Sequence, residues 1–373
     1  MTALSADPTP ATAEPGERVE RFHALIERSR ATHLPDNLDH FFHPWGHELP
    51  DPAGEHERVA EQLAVLERAG AFWERAGDEA SRDLLLRFLA YRALGPAHVR
   101  LQLEPIPYRR SINAMNAQMA EKVGLHGLGA MPFEWQFHLY NLARAGFPLH
   151  VLGQPLPLAS TFLFSQYAYR DAAAGAGPRP GDVAVDAGGC WGETALWLAH
   201  VVGADGHVHT FEPAPRNRDL LARNLQLNPL HANRVTVWDH VLGARRGETV
   251  WLANRMAAGA TVRDELAKVH SWDQTDQALE LRTESIDELA IGGAIERVDF
   301  LKVDVEGADL GVLQGAAETI RRDRPRLAIA CYHRPDDLVQ IPDFVASLGV
   351  EYRWYLQCST MTDIDTVAFA VPG

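Results

Sequence analysis

Cysteine is scarce in this sequence, and long apolar runs and an excess of positive charge are absent. Only three cysteines occur among 373 residues, at positions 190, 331 and 358. They are too few and too scattered for a disulfide framework or a four-ligand zinc site. No apolar run approaches the roughly 20 residues that a bilayer span needs. We therefore expect a cytoplasmic protein without a membrane span.

The formal net charge of −15 argues against nucleic acid as a partner, because a phosphate backbone must be neutralised by many lysines and arginines. About half of the residues are hydrophobic and 23% are charged, which is typical of a globular protein. The length suffices for one domain of about 200 residues and a smaller one.

Three regions follow one another along the chain. Residues 1–16 are rich in Ala, Pro, Thr and Glu and lack both the basic and the apolar segment of a secretory signal, so we predict a disordered tail. Residues 17–160 are predicted to form a mainly helical auxiliary region that covers the substrate site of the following domain. Within it, residues 97–157 are predicted to be irregular with some strand. Residues 161–373 form the catalytic domain.

Apolar runs alternate with helical stretches after residue 182, a pattern typical of a parallel sheet that is covered on both faces. The predicted strands are 183–186, 207–211, 235–239, 300–304 and 327–332. The predicted helices are 193–202, 217–227, 309–320 and 335–348. A last pair of strands, 351–356 and 366–371, is expected to form an antiparallel hairpin at one edge of the sheet.

A glycine-rich turn follows the first strand of this domain, where open α/β sheets bind nucleotides. A dinucleotide fingerprint requires G-x-G-x-x-G, but counting from Gly188 places Cys190 and Glu193 at the later glycine positions. Glu193 at a helix start would also repel a phosphate. S-adenosylmethionine has no phosphate and carries positive charge, so a turn containing Gly188 and Gly189 suits it better. Asp186 either attracts its ammonium group or orders the turn.

Further cofactor contacts are predicted from the neighbouring strand ends. Glu212 ends the second strand, where a carboxylate can accept hydrogen bonds from two ribose hydroxyls. Asp239 or His240, after the third strand, is expected to contact the adenine. Trp191 is expected to line the pocket. Tyr167 is expected either to fold over the methionyl end or to pack in the protein core.

Two acidic residues, Asp304 and Glu306, follow the fourth strand and share one side if the strand continues. Such a pair can act as a general base, hold a metal ion or clamp the amine of the ligand. The residues alone leave these three roles open, and all three place the pair at the site.

The segments 186–188, 211–213, 224–228 and 300–308 together resemble the FkbM family of methyltransferases, over roughly residues 167–372. The F-L-K-x-D-x-E-G-A run of this family is complete here, whereas Cys190 replaces the middle glycine of the general methyltransferase turn. The resemblance implies a class I methyltransferase fold, Rossmann-like with a mostly parallel seven-stranded sheet, and methylation of a hydroxyl on a sugar or natural product.

His333 follows the fifth strand, at the same edge of the sheet, and is our candidate general base, because a neutral imidazole can accept the proton of a hydroxyl. A capping or supporting role is the alternative. We expect no resident metal; a divalent ion such as Mg²⁺ on Asp304 and Glu306 is the mechanistic alternative.

Two other groups of residues are not expected to bind a metal ion or to act in catalysis. His40, His43 and His47 resemble metal ligands, but Pro44 interrupts any helix that would gather them. No activating histidine is near Cys190 in sequence, so we predict that this thiol packs and does not act as a nucleophile.

The sequence thus predicts a methyltransferase that uses S-adenosylmethionine and acts on a small-molecule or glycan acceptor, with a homodimer through the N-terminal region as a further expectation. Two other functions compete with it. An NAD-dependent oxidoreductase shares the fold but lacks the fingerprint, and a non-catalytic adenosyl-binding protein would bind the ligand without transfer.

Overall fold

The computed structural model describes residues 15–37, 50–122, 137–253, 262–263 and 278–373. The predicted tail at 1–16 lies almost entirely outside these residues, and His40, His43 and His47 also lie outside them. The α-helices are α1 (Pro15–Arg30), α2 (Glu55–Arg68), α3 (Gly70–Glu74), α4 (Glu79–Leu94), α5 (Pro105–Met119), α6 (Pro155–Phe162), α7 (Glu193–Val202), α8 (Pro215–Leu227), α9 (Pro229–Ala232), α10 (Ile286–Ile291), α11 (Asp309–Gln314), α12 (Ala317–Asp323) and α13 (Asp337–Ser347).

The strands fall into three sheets. They are β1 (Ala120–Lys122), β2 (His138–Asn141), β3 (His150–Gly153), β4 (Val183–Ala187), β5 (His207–Phe211), β6 (Val235–Trp238), β7 (Val241–Leu242), β8 (Thr249–Ala253), β9 (Val262–Arg263), β10 (Ala278–Glu284), β11 (Phe300–Val303), β12 (Arg326–Ala330), β13 (Tyr352–Cys358) and β14 (Thr366–Pro372).

The largest sheet has seven strands in the order β13-β14-β12-β11-β4-β5-β6. Strands β12, β11, β4, β5 and β6 are parallel, and β13 and β14 form the antiparallel edge. Helices cover both faces, so the central strands β11 and β12 are buried at every residue, as their continuous apolar runs indicate. The predicted mostly parallel seven-stranded sheet and its edge hairpin are confirmed.

One predicted helix is divided in two. The helix predicted at 309–320 ends at Gln314 and a second one begins at Ala317. Between them, a Cβ on Gly315 would lie 2.0 Å from the carbonyl oxygen of Gly243. The glycine therefore permits a close approach of two backbones at this point.

The first helices of the chain cover the β13 edge of the large sheet. Phe72 packs against Trp354 of β13 with ring centroids 6.2 Å apart, and the backbone N–H of Gly77 donates to the carbonyl of Trp354 at 2.6 Å. Ala76 forms a parallel bridge with the same residue. Because these contacts occupy the free edge of β13, the edge is protected from pairing with another chain.

The stretch 97–157, predicted to be irregular with some strand, contains the 15-residue helix α5. The irregular assignment was wrong here because we took its prolines as breaks. Pro105 stands at the start of the helix, where proline is favoured since no intrahelical N–H is needed. The strand part of the prediction is confirmed by the small antiparallel sheet β1-β2-β3.

Asn224 of α8 and Asn228, the residue that follows this helix, fasten the small sheet to the helical layer on the large sheet. Asn224 bonds to both the N–H and the carbonyl of Leu152 at 2.7 and 2.9 Å. Asn228 bonds to the N–H and carbonyl of His150 in the same way, at 2.9 and 2.6 Å. The paired amides replace a strand neighbour for β3, which places α6, immediately after β3, over the carboxyl ends of the large sheet.

Candidate functional site

A cavity of about 310 Å³ opens at the carboxyl ends of β4, β5 and β11. Helix α6 and the turn after it form the opposite wall, whereas α1 to α5 contribute no lining residue among those described. Seven of the predicted site residues line the cavity: Tyr167, Gly188, Trp191, Glu212, His240, Asp304 and Glu306. Four others, Asp186, Gly189, Asp239 and His333, lie outside the lining.

The glycine-rich turn is shaped by the protein itself. Gly188 has a φ of +90°, and a Cβ there would lie 1.9 Å from the carbonyl oxygen of Asp304. A Cβ on Gly189 would lie 2.2 Å from Oγ1 of Thr210. Both glycines are therefore required for packing against β5 and the end of β11. From the sequence we had predicted only that they let the ligand approach the backbone closely.

Asp186 is fully buried below this turn, where it orders the turn and does not face a ligand. It accepts hydrogen bonds from the hydroxyls of Thr194 and Thr210, both at 2.9 Å, and Nζ of Lys302 lies 3.0 Å from its Oδ1. Lys302 also donates to the carbonyls of Ala187 and Gly188, at 3.2 and 2.6 Å. Of the two roles that we left open for Asp186, the geometry fits the ordering one.

Glu212 joins the turn to the next helix. One carboxylate oxygen accepts the N–H of Cys190 and the other accepts that of Ala214, both at 2.8 Å. Burial raises the pKa of Glu212 to about 7, against the lowering effect of these hydrogen bonds. The carboxylate lines the cavity and keeps lone pairs free, as a group that accepts from ribose hydroxyls must.

The two residues predicted at the adenine end differ in position. The side chain of Asp239 is 68% exposed and lies beside His240, with Oδ1 and Nδ1 3.3 Å apart. Only His240 lines the cavity, where it is followed by Val241 and Leu242 of β7. The structure therefore favours His240 over Asp239 for a contact to a ligand.

Tyr167 closes the cavity beside the end of β11. Its hydroxyl donates to Oδ2 of Asp304 at 2.6 Å, and its ring lies 5.2 Å from Nζ of Lys302. Burial and the charge of Asp304 raise the pKa of this hydroxyl well above its usual value. Tyr167 is therefore a neutral donor that fixes the orientation of the Asp304 carboxylate.

His333 is enclosed by three carboxylates, and its side chain is only 7% exposed. Its Nδ1 donates to Oδ2 of Asp309 at 2.9 Å. Its Nε2 lies 3.4 Å from Oδ1 of Asp304 and 3.8 Å from Oε2 of Glu306, two residues that line the cavity. The predicted pair Asp304 and Glu306 is thus brought together with His333, and Asp309 is an additional partner.

The charge of His333 does not suit the base that we predicted. Burial lowers its pKa, but the bond to Asp309 and the charges of Asp304 and Glu306 outweigh burial and raise the pKa to about 9. The imidazole is therefore a cation at neutral pH in the chain alone and has no free lone pair for a hydroxyl proton. The role of general base, which we expected from its position at the strand end, does not fit the three carboxylates around His333.

Backbone strain is concentrated around the cavity. Five described residues other than glycine have positive φ angles, and three of them, Cys190, Glu306 and Asp365, line the cavity. A fourth, Ser165, precedes the lining residue Gln166. Such conformations cost about 1–3 kcal/mol each, so their grouping here indicates that the protein holds these side chains in place for function.

Sequence reasoning missed several residues of the site. Lys302 lies within the F-L-K-x-D-x-E-G-A run and Asp309 follows it directly, so their closeness to Asp304 in the sequence was a usable signal. Asp365, in the hairpin loop, and Glu193 line the cavity and carry pKa values that burial raises to about 6 and about 7. No local signal distinguishes Asp365, because the contact depends on how the hairpin meets β11 and β12.

Cys190 lies in the turn with a φ of +43°. Burial, with the charges of Glu193 and Glu212, raises the pKa of its thiol well above the usual value. A thiol in this environment is not ionised at neutral pH, which suits the packing role that we predicted.

A seven-stranded sheet with this order and a cavity at its carboxyl edge is the class I methyltransferase fold. Residues 174–352 match the family model described as the methyltransferase FkbM domain. This segment thus matches the FkbM methyltransferase domain, as the sequence motifs predicted.

Several solved structures are similar to this chain. The chain is similar to the methyltransferase FkbM of Methylobacillus flagellatus, with 18% identity, a TM-score of 0.50, and coverage of 84% of this chain and 60% of that one. The chain thus spans about 60% of that protein. Weaker similarity links it to a fibrillarin of Aeropyrum pernix solved with S-adenosyl-L-methionine, at 14% identity and a TM-score of 0.33 over 68% of this chain and 100% of that one.

A third similar structure is a SAM-dependent O-methyltransferase of Thermotoga maritima, at 15% identity and a TM-score of 0.32 over 58% of this chain and 64% of that one. No curated protein sequence matches the chain. Among the described residues, no helix combines the length and the apolar character of a membrane span.

Proposed function

We propose that the cavity binds S-adenosylmethionine and that the protein transfers its methyl group to a hydroxyl of a sugar or natural product. The observation that carries this proposal is the meeting of three strand ends in one cavity. The turn at Gly188 follows β4, Glu212 follows β5, and Asp304 and Glu306 follow β11.

The charge of the cavity wall supports a cationic ligand. Five carboxylates line the cavity with a single lysine, Lys302; they belong to Glu193, Glu212, Asp304, Glu306 and Asp365. Burial raises the pKa of four of them, Glu193, Glu212, Glu306 and Asp365, and a nearby positive charge would lower these pKa values again. S-adenosylmethionine carries a sulfonium and an ammonium group and no phosphate, so it fits this wall better than a dinucleotide.

Each part of the ligand has a candidate partner. Glu212 would accept hydrogen bonds from the ribose hydroxyls, and His240 would contact the adenine. Gly188, Trp191 and Tyr167 would surround the methionyl part. When bound, S-adenosylmethionine supplies an electrophilic methyl group for an oxygen nucleophile.

The acceptor would enter between α6 and the end of β11. Asp304, Glu306 and Asp365 face this end, so a neutral, hydroxyl-rich acceptor is favoured over a phosphate or carboxylate, which these acids would repel. Burial and the charge of Asp304 raise the pKa of Glu306 to about 8; the positive charge of the bound cofactor would lower this pKa, and the ionised carboxylate could then accept a proton near neutral pH. We propose that Glu306 rather than His333 receives the hydroxyl proton.

Calorimetric titration with S-adenosylhomocysteine tests cofactor binding directly, and NADH serves as the competing ligand. Transfer of labelled methyl groups to panels of sugars, glycosides, phenols and amines then tests the reaction. We expect saturable binding of S-adenosylhomocysteine, none of NADH, and transfer to a hydroxyl acceptor. Binding without transfer to any panel would favour the non-catalytic adenosyl-binding protein, and NADH binding alone would favour the oxidoreductase.

A further inference from the structure

The buried nitrogen Nε2 of His333 faces carboxylate oxygens without a hydrogen bond to any of them. It is buried from solvent and has no hydrogen-bond partner, although Oδ1 of Asp304 and Oε2 of Glu306 lie 3.4 and 3.8 Å away. A charge-assisted N–H···O bond is normally about 2.7–2.9 Å long. Both distances are therefore too long for a good hydrogen bond between Nε2 and either carboxylate oxygen.

A hydrogen bond at the other ring nitrogen, Nδ1, sets the tautomer of His333. Nδ1 donates to Asp309, which is 1% exposed. Asp309 itself is held by the backbone N–H groups of Val305 and Gly307, at 3.0 and 3.1 Å. A metal ion at Nε2 would replace the second proton that the imidazole carries in the chain alone, while the proton on Nδ1 keeps its hydrogen bond to Asp309. The lone pair of Nε2 would then be directed at an ion between it and the two carboxylates.

We propose that Nε2 of His333, Oδ1 of Asp304 and Oε2 of Glu306 form a binding site for a divalent metal ion. Two ligands of one ion, at bonds of about 2.1–2.2 Å and angles near 90–110°, lie about 3.0–3.5 Å apart. The distance from Oδ1 of Asp304 to Nε2 of His333 falls in this range, whereas Oε2 of Glu306, at 3.8 Å from Nε2, lies slightly beyond it and would have to move closer on metal binding.

The surroundings support the same assignment. A metal-bound histidine commonly donates its other N–H to a carboxylate, and metal-bound carboxylates are themselves hydrogen-bonded. Asp309 supplies the first contact, and the hydroxyl of Tyr167 supplies the second by donating to Oδ2 of Asp304. Oδ1 of the same carboxylate therefore remains available to the ion.

The ligand set indicates which ions bind. Two carboxylates and one imidazole suit Mn²⁺ better than Mg²⁺, since imidazole ligands are rare for Mg²⁺ and affinity rises along the first transition series. Asp304 and Glu306 also line the cavity, so an ion bound to them would be accessible from the end where an acceptor hydroxyl would lie. The presence of an acceptor hydroxyl at this end rests on the proposed function. A metal ion at the site would activate that hydroxyl in place of Glu306.

Mn²⁺ titration followed by electron paramagnetic resonance tests the site, using the full chain after exhaustive chelation and without cofactor or acceptor. We expect one Mn²⁺ per chain, at least tenfold weaker binding in Asp304→Asn, Glu306→Gln and His333→Gln, and weaker binding in Asp309→Asn. Glu351→Gln, which removes an exposed acid elsewhere, should bind like the wild type.

Two results would overturn the inference: no saturable Mn²⁺ binding up to millimolar concentrations, or unchanged affinity in Asp304→Asn and Glu306→Gln. Melting temperatures of the same variants show whether a loss of binding is a loss of fold. Titration with S-adenosylhomocysteine on the same samples separates this inference from the proposed function, because cofactor binding without metal binding refutes only the metal site.

Discussion

Nζ of Lys302 lies 3.0 Å from Oδ1 of Asp186, and both side chains are almost completely buried. Burial alone lowers the pKa of Lys302, but the charges of Asp186 and Asp304 outweigh it and raise the pKa above its ordinary value. The ion pair joins the end of β11 to the end of β4. Together with the two carbonyls that Lys302 binds, it fixes the glycine turn from below.

Replacement of one member of this pair should be costly. We expect Lys302→Met to lower the free energy of unfolding by about 3–5 kcal/mol, because it leaves Asp186 as an uncompensated buried charge. Urea denaturation measures the change. The matched control is Arg87→Met, which breaks an exposed pair with Asp83 and should cost at most about 1 kcal/mol. Equal costs for the two variants would contradict the structural role of Lys302.

The turn at Gly188 makes a second prediction. Gly188→Ala should destabilise the protein by at least about 3 kcal/mol, since its Cβ would meet a backbone carbonyl in addition to the strain of a positive φ. Gly181 also has a positive φ, +85°, but nothing lies within 4 Å of a Cβ there. Gly181→Ala should therefore cost only about 1–2 kcal/mol. Similar denaturation midpoints for the two variants would show that the Asp304 contact is unimportant.

Cofactor affinity should distinguish the residues that line the cavity from those beside it. We expect Glu212→Gln to weaken S-adenosylhomocysteine binding about tenfold or more, the effect of losing a charge-assisted hydrogen bond. His240→Ala should also weaken it, whereas Asp239→Asn should change the affinity less than about twofold. Calorimetry measures all three, and a larger effect at Asp239 than at His240 would contradict the proposed adenine contact.

Stability should fall in mild acid because of His209 on β5. Its Nδ1 accepts a hydrogen bond from Nε1 of Trp238 at 3.2 Å, and burial, with the nearby His207, lowers its pKa to about 4. The unfolded histidine has a pKa of about 6.5. The unfolded chain therefore takes up a proton that the folded chain does not, and this stability is lost as the pH falls from about 6.5 to about 4.

The comparison of His209→Gln with the wild type isolates this contribution. The unfolding free energy of the wild type should drop more steeply with falling pH, by at most about 1.4 kcal/mol per pH unit for one proton. His150→Gln, which removes an exposed imidazole, should follow the wild type. Parallel curves for His209→Gln and the wild type between pH 7 and pH 4 would refute the assignment.

Much of the fold was predictable because its signals are local. The apolar runs at 300–304 and 327–332 are long enough to indicate buried strands, and the edge hairpin has two strands joined by a short polar loop. The errors were equally local in origin. The prediction of an irregular stretch at 97–157 missed α5, which begins at Pro105, and the prediction of one helix at 309–320 overlooked the close approach at Gly315.

The sequence by itself determined where the strands end and therefore which residues meet at the cavity, since the carboxyl ends of parallel strands lie at one edge. Gly188, Glu212, Asp304 and Glu306 follow from that rule. Tertiary structure alone decided what each of them touches. Asp186 and Lys302 are 116 positions apart in the chain, and their pairing depends on β4 and β11 being neighbours.

The protonation of His333 shows most clearly which properties the sequence determines and which only the tertiary structure determines. Its place after β12 could be predicted, and it suggested a base. Its charge depends on Asp304, Glu306 and Asp309 at distances of 2.9–3.8 Å, and electrostatic energies in a buried site change strongly over such distances. A chain pattern specifies residue types and order, whereas these distances arise only when the strand ends pack together.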